Sequence, residues 1–455
     1  MADSKQNLFE SRLGRYQAAI TLEQPDRIPI APGTNYFSEK YAGYNNQEII
    51  YDSAKWQDAE IKFVNDFPET DVLRNNRIWA PMYDAVGCKT YKFPGRDLPP
   101  TMQFQFVESD YMKADEYDLL ISDPVDFMLN VYLPRVLGEL SDRGSKRSYV
   151  ALLKSGMAQV MMSGIMKKRS LFLESELGMP QPTVGVFLAP FDVLSDTLRG
   201  LTGIMLDLYR QPEKILEACD ILTNEMINLA LSTADPLKRY PIFVPTHKAC
   251  FLSPKQFETY YWPSFKKTME AIIDAGYTIR AYLEGNWSAH WHYMLEMPRG
   301  KVLCDIDSQG DIVRAKNDIG HHQCIAGGIP DSLFILGKPE EIREKVRELC
   351  STVGKDGGYI INGGCNIPYD TKPENYRAMI DATIEFGTYF KDLKAKPRIP
   401  LVQASSTEGI NKKMVTSWEE KKAELGEILG DESLIKEPWE TLEVMAYNWF
   451  WHWVM

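Results

Sequence analysis

Residues 358–379 read Gly-Tyr-Ile-Ile-Asn-Gly-Gly-Cys-Asn-Ile-Pro-Tyr-Asp-Thr-Lys-Pro-Glu-Asn-Tyr-Arg-Ala-Met, and this stretch indicates one strand-turn-helix unit. The apolar run at 358–361 predicts a buried strand. The Gly-Gly pair that follows allows the backbone to bend and leaves the thiol of Cys365 at the end of the strand. Thr371 and Glu374 have the spacing of a capping box, which predicts the start of a helix. Such a βα unit places its turn where α/β barrels carry their sites.

Seven further apolar runs have the length of strands, and most are followed by a helical pattern. The best helix is predicted at 254–275, where Ser253 and Gln256 have capping-box spacing and Gly276 ends the pattern. Short strands that alternate with helices predict a parallel sheet, and eight of them predict an α/β fold of the (β/α)8 TIM-barrel type. The eight strand candidates are 27–31, 71–74, 183–188, 242–246, 278–284, 301–305, 322–326 and 358–361.

The barrel domain is predicted to span residues 1–395. Within it, residues 75–180 are too long for one βα unit and predict a helical insertion over the barrel mouth. Residues 396–455 are predicted to form a C-terminal extension that ends in Trp-Phe-Trp-His-Trp-Val-Met. An aromatic terminus of this kind is expected to dock on the chain itself or on a second subunit. We therefore expect a homodimer or larger oligomer in which residues 449–451 are buried.

The 455-residue chain has a net charge of −12, which argues against a general role in nucleic-acid binding. Its first residues lack the apolar core of a signal peptide, and no stretch reaches the roughly 18 apolar residues of a membrane span. The seven cysteines are odd in number and form no CxxC pair. These features predict a reduced, cytoplasmic protein without a membrane partner.

Polar side chains follow the predicted strands at their C-terminal ends, where barrel enzymes carry their chemistry. A catalytic zinc needs only three protein ligands, and a mixed nitrogen, oxygen and sulfur set suits it. His247, Glu284 and Cys365 are therefore the predicted metal ligands, with Cys324 as the alternative to Cys365. Glu284 and Asp305 are also predicted to be catalytic. The strand-end residues are His247, Glu284, Asp305 or Asp307, Cys324 and Cys365.

Each of these residues has a simpler structural alternative. Glu284 could form a salt bridge with a neighbouring strand end. Cys365 could be a small buried thiol. Cys324 lies inside an apolar run and fits the core better than a site.

Four motifs in the same order as in the uroporphyrinogen decarboxylase superfamily make the chain resemble that superfamily over residues 8–395. They are Pro-Asp-Arg-Ile-Pro at 25–29, Leu-Arg-Gly at 198–200 with Pro-Glu at 212–213, Ile-Ala-Gly-Gly-Ile-Pro at 325–330, and the 358–379 stretch. The resemblance implies the same TIM barrel. The decarboxylase itself carries an arginine-rich signature after the first strand, whereas residues 31–43 here hold one lysine and several aromatic residues. This departure implies a substrate smaller or less charged than a porphyrinogen.

Within the superfamily, the chain is most similar to the corrinoid-dependent methyltransferase branch. Thiol-methylating members carry His-x-Cys-Gly-Asn on the fifth strand and bind zinc through that His and Cys and a later Cys. The aligned run here is Tyr282-Leu-Glu284-Gly-Asn286, and Cys365 matches the later Cys directly. The resemblance implies a catalytic role for Tyr282. It implies cofactor-binding roles for Asn286 and for the glycine pair at Gly327 and Gly328.

The function that this resemblance implies is methyl transfer from a small methylated substrate, an O-methyl compound, to a cobalt(I) corrinoid. Zinc, or Glu284 or Tyr282 as an acid, would activate the leaving heteroatom. The sequence lacks Asp-x-His-x-x-Gly, the motif of corrinoid carriers, so the corrinoid is expected on a partner protein. Two alternatives stay open: a cobalt-independent lyase or decarboxylase of a smaller substrate, and a non-catalytic barrel that binds a ligand.

Overall fold

The computed structural model describes residues 2–34, 36–73, 78–389 and 416–455. A five-stranded parallel sheet forms the centre of the molecule, with its strands in the order of the sequence. Each strand pairs with its neighbour in sequence, and a helical connection separates the two, as expected for βα units. The strands are β1 (Tyr91–Lys92), β2 (Gln105–Phe106), β3 (Ile242–Pro245), β4 (Ile279–Leu283), β5 (Val302–Ile306), β6 (Cys324–Gly328) and β7 (Tyr359–Asn362).

Three more extended segments complete a ring of eight around the core. A parallel bridge joins Ile30 to Ile361 in β7, and the amide of Asp71 donates to the carbonyl of Ile30 at 2.8 Å. The amide of Leu73 donates to the carbonyl of Pro180 at 3.2 Å. The amide of Phe187 then donates to Phe243 in β3 at 3.1 Å, which brings the ring back to the sheet.

The five strands from β3 to β7 confirm five of the strand predictions. The predicted strands at 27–31, 71–74 and 183–188 are present as extended segments without a regular hydrogen-bond ladder. Proline explains much of this difference, because Pro29 and Pro182 lack the amide that a ladder needs. Residue 74 lies outside the described residues.

Helices surround the ring, and the predicted ones at 254–275, near 339–350 and at 373–386 are present. The capping box of Ser253 and Gln256 forms as predicted, but the helix contains a π-helical turn. The capping box predicted for Thr371 and Glu374 does not form, because the helix begins at Pro373 with Lys372 as its N-cap. The α-helices are Ala2–Ile20, Phe37–Ala42, Asn46–Tyr51, Ser53–Asp66, Ala80–Asp84, Tyr117–Ser122, Pro124–Phe127, Leu133–Val136, Lys146–Leu177, Pro190–Asp192, Gly200–Arg210, Pro212–Thr233, Pro254–Gln256, Trp262–Asp274, Ile312–Ile319, Asp331–Leu336, Pro339–Thr352, Pro373–Phe386, Trp418–Leu425 and Ser433–His452.

The insertion between the second and third segments of the ring is mostly helical. Its longest element is the insertion helix, Lys146–Leu177. It also contains the antiparallel pair of β1 and β2, which the sequence did not predict because each strand has only two residues. No described helix is long and apolar enough to cross a membrane.

The end of the chain docks on the chain itself, which was one of the two predicted alternatives. In the C-terminal helix, Ser433–His452, the side chains of Phe450 and Trp451 are buried. The hydroxyl of Tyr447 donates to the Glu225 carboxylate at 2.9 Å, and the hydroxyl of Thr197 donates to the carbonyl of Val454 at 2.8 Å. The part of the predicted extension at 396–415 lies outside the described residues.

Buried ion pairs replace apolar packing at two places inside the ring. Arg280 and Asp305 form a two-bond pair with distances of 2.5 and 3.2 Å, and neither is more than 1% exposed. Asp71 is fully buried between Arg15 and Arg27. Burial disfavours its charge, but the two guanidinium groups and the amide of Ile30 keep the pKa of Asp71 below its usual value.

Replacing Asp305 with alanine should lower the free energy of unfolding by about 3–5 kcal/mol, because Arg280 would stay buried without its counterion. The measurement is urea denaturation. Asp220→Ala is the control, since Asp220 forms an exposed pair with Lys267 and should change stability by less than about 1 kcal/mol. An Asp305→Ala protein as stable as the Asp220→Ala control would contradict a structural role for this pair.

Candidate active site

A cavity of about 1060 Å³ lies at the C-terminal ends of β3 and β4. Its inner wall is formed by strand residues such as Phe243 and Tyr282. Its outer wall is formed by the insertion helix, through residues such as Met162, and by the C-terminal helix, through residues such as Asn448. Most of the wall is apolar or aromatic, so the few charged groups on it act in a partly water-excluded space.

His247, directly after β3, lies in the middle of a chain of charged side chains on the cavity wall. Its Nδ1 is hydrogen-bonded to the carboxylate of Asp196, and its Nε2 lies 3.9 Å from Glu284 Oε1. The other oxygen of Asp196 lies 2.7 Å from the ammonium of Lys248, which also donates to Glu108 at 2.8 Å. The arrangement leaves the Nε2 side of the imidazole facing Glu284 and the cavity.

Asp192 fixes the backbone that carries His247 and Lys248. Its carboxylate is fully buried and accepts hydrogen bonds from the amides of His247 at 3.2 Å and Lys248 at 3.1 Å. The hydroxyl of Tyr261 donates to the same carboxylate at 2.8 Å. Burial and the neighbouring charge of Asp196 raise the pKa of Asp192. This one side chain therefore sets the position of the loop after β3.

Two π-helical turns bring these partners to the site. Asp196 lies in the turn Val193–Leu198, and Tyr261 is the last residue of the turn Phe257–Tyr261. A π-helical turn contains one extra residue and so changes the direction in which the following side chains point. Such turns are rare and are found often at functional sites.

The charge of His247 follows from its neighbours. Burial disfavours the imidazolium form, but the hydrogen bond that its Nδ1–H donates to Asp196 and the charges of Asp196, Glu284 and Asp192 outweigh this effect. Together they raise the pKa of His247 to about 9. The ring is therefore protonated at neutral pH and can donate a proton from Nε2.

Residues 165–386 match the family model of uroporphyrinogen decarboxylase (URO-D). Over these residues the chain is similar to the uroporphyrinogen decarboxylase family. The matched region contains β3 to β7, His247, Asp196 and Glu284. The family model begins inside the insertion helix and ends before the C-terminal helix, so much of the outer cavity wall comes from outside the matched region.

Individual relatives match shorter parts of the chain. A uroporphyrinogen decarboxylase from Carboxydothermus hydrogenoformans is 25% identical over 224 residues, which is 48% of this chain and 62% of that protein. One from Methylococcus capsulatus is 33% identical over 85 residues, which is 19% of this chain and 24% of that protein. The chain thus spans less than two thirds of the length of these relatives.

The fold is also similar to that of a solved methyltransferase from Methanosarcina mazei. The two structures superpose with a TM-score of 0.55 over 82% of this chain and 98% of that chain, at 17% sequence identity. At this identity the likeness shows the fold. It supports the predicted TIM-barrel class.

Three of the predicted site residues line the cavity, namely His247, Glu284 and Tyr282. Cys365 does not, although it lies nearby. Cys365 is only 4% exposed and packs in a small cluster with Phe243 and Tyr282. Its Sγ lies 3.9 Å from the carbonyl oxygen of Asp305.

Two of the predicted zinc ligands, His247 and Glu284, face each other, but the described residues do not form a three-ligand site with Cys365. Among the residues that the structure describes, no group of three or more His, Cys, Asp or Glu side chains is arranged to hold a metal ion. Cys365 belongs to the apolar cluster with Phe243 and Tyr282, and it does not line the cavity that His247 and Glu284 share. Cys324, the predicted substitute, is fully buried inside β6. The side chains present do not fit the three-ligand site that the sequence predicted.

The other predicted residues lie away from the large cavity. Asp305 is buried as the counterion of Arg280, and its catalytic role stays a prediction. The Asn286 side chain accepts a hydrogen bond from the amide of Ser288. Gly327 and Gly328 have φ angles of 117° and 111°, and a Cβ on Gly327 would lie 2.7 Å from the carbonyl of Ile306. These contacts explain the glycine pair by close packing.

Sequence reasoning missed Asp192 and Asp196. Both follow the apolar run before residue 189, and they are four residues apart, which places them on one face of a helical turn. That spacing after a predicted strand was the available signal. It gave no indication that the partner would be His247, which is 51 residues further along the chain.

The raised pKa of His247 makes a prediction about stability. Because the folded-state value of about 9 exceeds the unfolded value of about 6.5, the contribution of His247 is complete below pH 6.5. It is lost as the pH rises through about 9. Between pH 6.5 and 9.5, wild type should therefore lose more stability than His247→Asn. Urea midpoints of both proteins at pH 6, 7.5 and 9.5 measure this, and parallel profiles would contradict it.

Proposed function

We propose that the protein is a methyltransferase that moves a methyl group from a small O-methyl compound to a cobalt(I) corrinoid held by a separate corrinoid protein. The observation that carries this proposal is the position of His247, which lies between Asp196 and Glu284 on the wall of a mostly apolar cavity at the strand ends. The match to the uroporphyrinogen decarboxylase family model and the fold shared with the Methanosarcina mazei methyltransferase support it.

The charge of the cavity argues against a porphyrinogen as substrate. Among the described residues that line it, the cationic side chains are His247 and Lys248, and both already face carboxylates. A ligand with several carboxylates would instead meet the negative charges of Asp196 and Glu284. A weakly charged molecule with an apolar body fits this wall better.

The chemistry assigned to the residues is acid catalysis of an SN2 displacement. Cobalt(I) attacks the methyl carbon, a carbon–cobalt bond forms, and the carbon–oxygen bond breaks with its electron pair staying on oxygen. An alkoxide or phenoxide is a poor leaving group unless it is protonated. His247 donates its Nε2 proton to that oxygen, and Asp196 stabilises the ring and keeps its orientation.

Glu284 has a positioning role in this scheme. Its carboxylate lies 3.9 Å from His247 Nε2, near enough to raise the pKa of His247 and to restrict where the leaving oxygen can sit. Tyr282 lines the same wall and is the second candidate donor. Zinc has no step in this route, because the described residues form no three-ligand metal site.

The alternative function is cobalt-independent decarboxylation of a smaller substrate. It is favoured by the relatives that are uroporphyrinogen decarboxylases. The same imidazolium could protonate the carbon that loses carbon dioxide. The two functions differ in their need for a corrinoid and in their product, carbon dioxide or a methylated corrinoid.

Replacing His247 with glutamine should lower the rate of methyl transfer at pH 7 by about 100-fold or more, as expected for loss of a general acid. Glu284→Ala should lower it to a similar extent. The assay is methylation of free cob(I)alamin by a set of methyl ethers, followed by visible absorbance. The matched control is His292→Gln, which makes the same change at an exposed histidine. Turnover of the wild type without cobalamin, or full activity of His247→Gln, would favour the lyase.

A zinc chelator should leave the activity unchanged, because the proposed route uses a protein acid. Elemental analysis before and after treatment with 1,10-phenanthroline accompanies the assay. Stoichiometric zinc whose removal abolishes activity, and whose addition restores it, would contradict the acid route and support the original zinc prediction.

A further inference from the structure

A short segment of the insertion, residues 107–112, lies against the π-helical turn that carries Asp196. We call it the bracing segment. The amide of Met112 donates to the carbonyl of Leu198 at 2.7 Å. Leu198 is the last residue of the π-helical turn, Val193–Leu198. The bracing segment is therefore hydrogen-bonded directly to the end of this turn.

The two residues after the turn also contact the bracing segment. The guanidinium of Arg199 is bonded to the carboxylate of Asp110 and to the carbonyl of Met112, and Arg199 is only 4% exposed. Gly200 has a φ angle of 67°, and a Cβ there would lie 3.3 Å from the carbonyl of Ser109. A buried cation holds its partners firmly, because leaving it unpaired is costly. The end of the turn and the bracing segment are thus fixed to each other.

Glu108, within the bracing segment, connects these contacts to the candidate site. One oxygen of its carboxylate accepts a hydrogen bond from the amide of Leu201 at 2.6 Å, in the first turn of the helix Gly200–Arg210. A carboxylate is stabilised at the N-terminus of a helix. The other oxygen accepts a hydrogen bond from the ammonium of Lys248 at 2.8 Å. Glu108 therefore joins the helix that follows the π-helical turn to the loop after β3.

Lys248 links Glu108 to Asp196. Its ammonium lies 2.7 Å from Asp196 Oδ1, whereas Oδ2 of the same carboxylate is bonded to His247 Nδ1. The side chain of Lys248 is 13% exposed and that of Asp196 is 10% exposed, so water screens this pair weakly. Both oxygens of Asp196 are thus held, one by a cation that Glu108 fixes and the other by the imidazole.

The π-helical turn gives this bracing a physical purpose. π-helical geometry is rare, and it adds one residue to a helical turn. If the turn relaxed to α-helical geometry, one of its ends would rotate relative to the other by about 100°, the angle between successive residues of an α-helix. The carboxylate of Asp196 would then point in another direction and lose its bond to His247.

We propose that Glu108 is a positioning residue, which acts through Lys248 and Asp196 to keep Nε2 of His247 directed into the cavity. The inference rests on the proposed function, in which His247 is the acid. The bracing segment lies outside residues 165–386, which match the family model. The insertion therefore supplies a part of the site in addition to a wall of the cavity.

The first test needs no substrate. A proton held between a histidine Nδ1 and a carboxylate gives a separate, far-downfield signal in the proton NMR spectrum, and His247→Asn should remove it. Glu108→Gln should shift this signal and speed its exchange with water by about tenfold or more, as expected for loss of one charge-assisted hydrogen bond.

The matched control is Glu139→Gln, which makes the same change elsewhere in the insertion. Glu139 pairs with Arg147 and is 29% exposed at its side chain, close to the 34% of Glu108. This control should leave the signal unchanged. A wild type without the signal, or a signal that Glu108→Gln leaves unchanged or that both variants change equally, overturns the proposal.

The second test measures methyl transfer to cob(I)alamin. Glu108 does not line the cavity, so Glu108→Gln should lower kcat by about tenfold and leave KM unchanged. If Glu108 acts through Lys248, the same substitution should have no further effect in a Lys248→Met background. Circular dichroism and urea midpoints show that the variants fold.

Two results of the second test overturn the positioning role. One is a set of losses that multiply in the double variant, because Glu108 would then act independently of Lys248. The other is a rise in KM with unchanged kcat, which would make Glu108 a substrate-binding residue. A wild type that transfers no methyl group contradicts the proposed function instead, and the NMR signal still decides whether Glu108 holds His247.

Discussion

Parallel strands that run in one direction end at one edge, and the candidate site of this protein depends on that constraint. His247 and Glu284 are 37 residues apart in sequence, yet they follow adjacent strands and their side chains come within 3.9 Å. The insertion and the C-terminal helix form walls of the cavity above the strand ends. The ring of strands positions His247 and Glu284, and the insertion and the C-terminal helix limit the access of water to them.

Three buried carboxylates each connect several elements of the fold. Asp71 joins the first helix to the first two segments of the ring, and Asp305 holds Arg280 inside the ring. Asp192 is the one that serves the site, because it fixes the loop on which His247 sits. A buried carboxylate must find donors, and so each of these residues ties several elements to one point. The charge of His247 then follows from this fixed geometry.

The matched superfamily region and the cavity wall do not coincide. The family model covers residues 165–386, which contain the strands and the charged chain around His247. His452 and Val454, which lie beyond it, also line the cavity. The shared barrel therefore does not determine the substrate, because the cavity walls that contact a substrate come largely from segments outside the matched region. The methyltransferase proposal accordingly rests on the charge and shape of the cavity as well as on the family.

The sequence by itself determined the five strands of the parallel sheet, the (β/α)8 class and the strand-end positions of His247 and Glu284, because apolar periodicity and turn residues are local signals. It could not determine that Asp196 would hold His247, since a π-helical turn and the packing of distant elements bring them together. It also could not show that Cys365 packs in an apolar cluster instead of ligating a metal with His247. Strand-end position restricts a side chain to one edge of the barrel, whereas its direction and partners depend on φ angles, helix register and burial. Those are properties of the packed chain, and only the tertiary structure decided them.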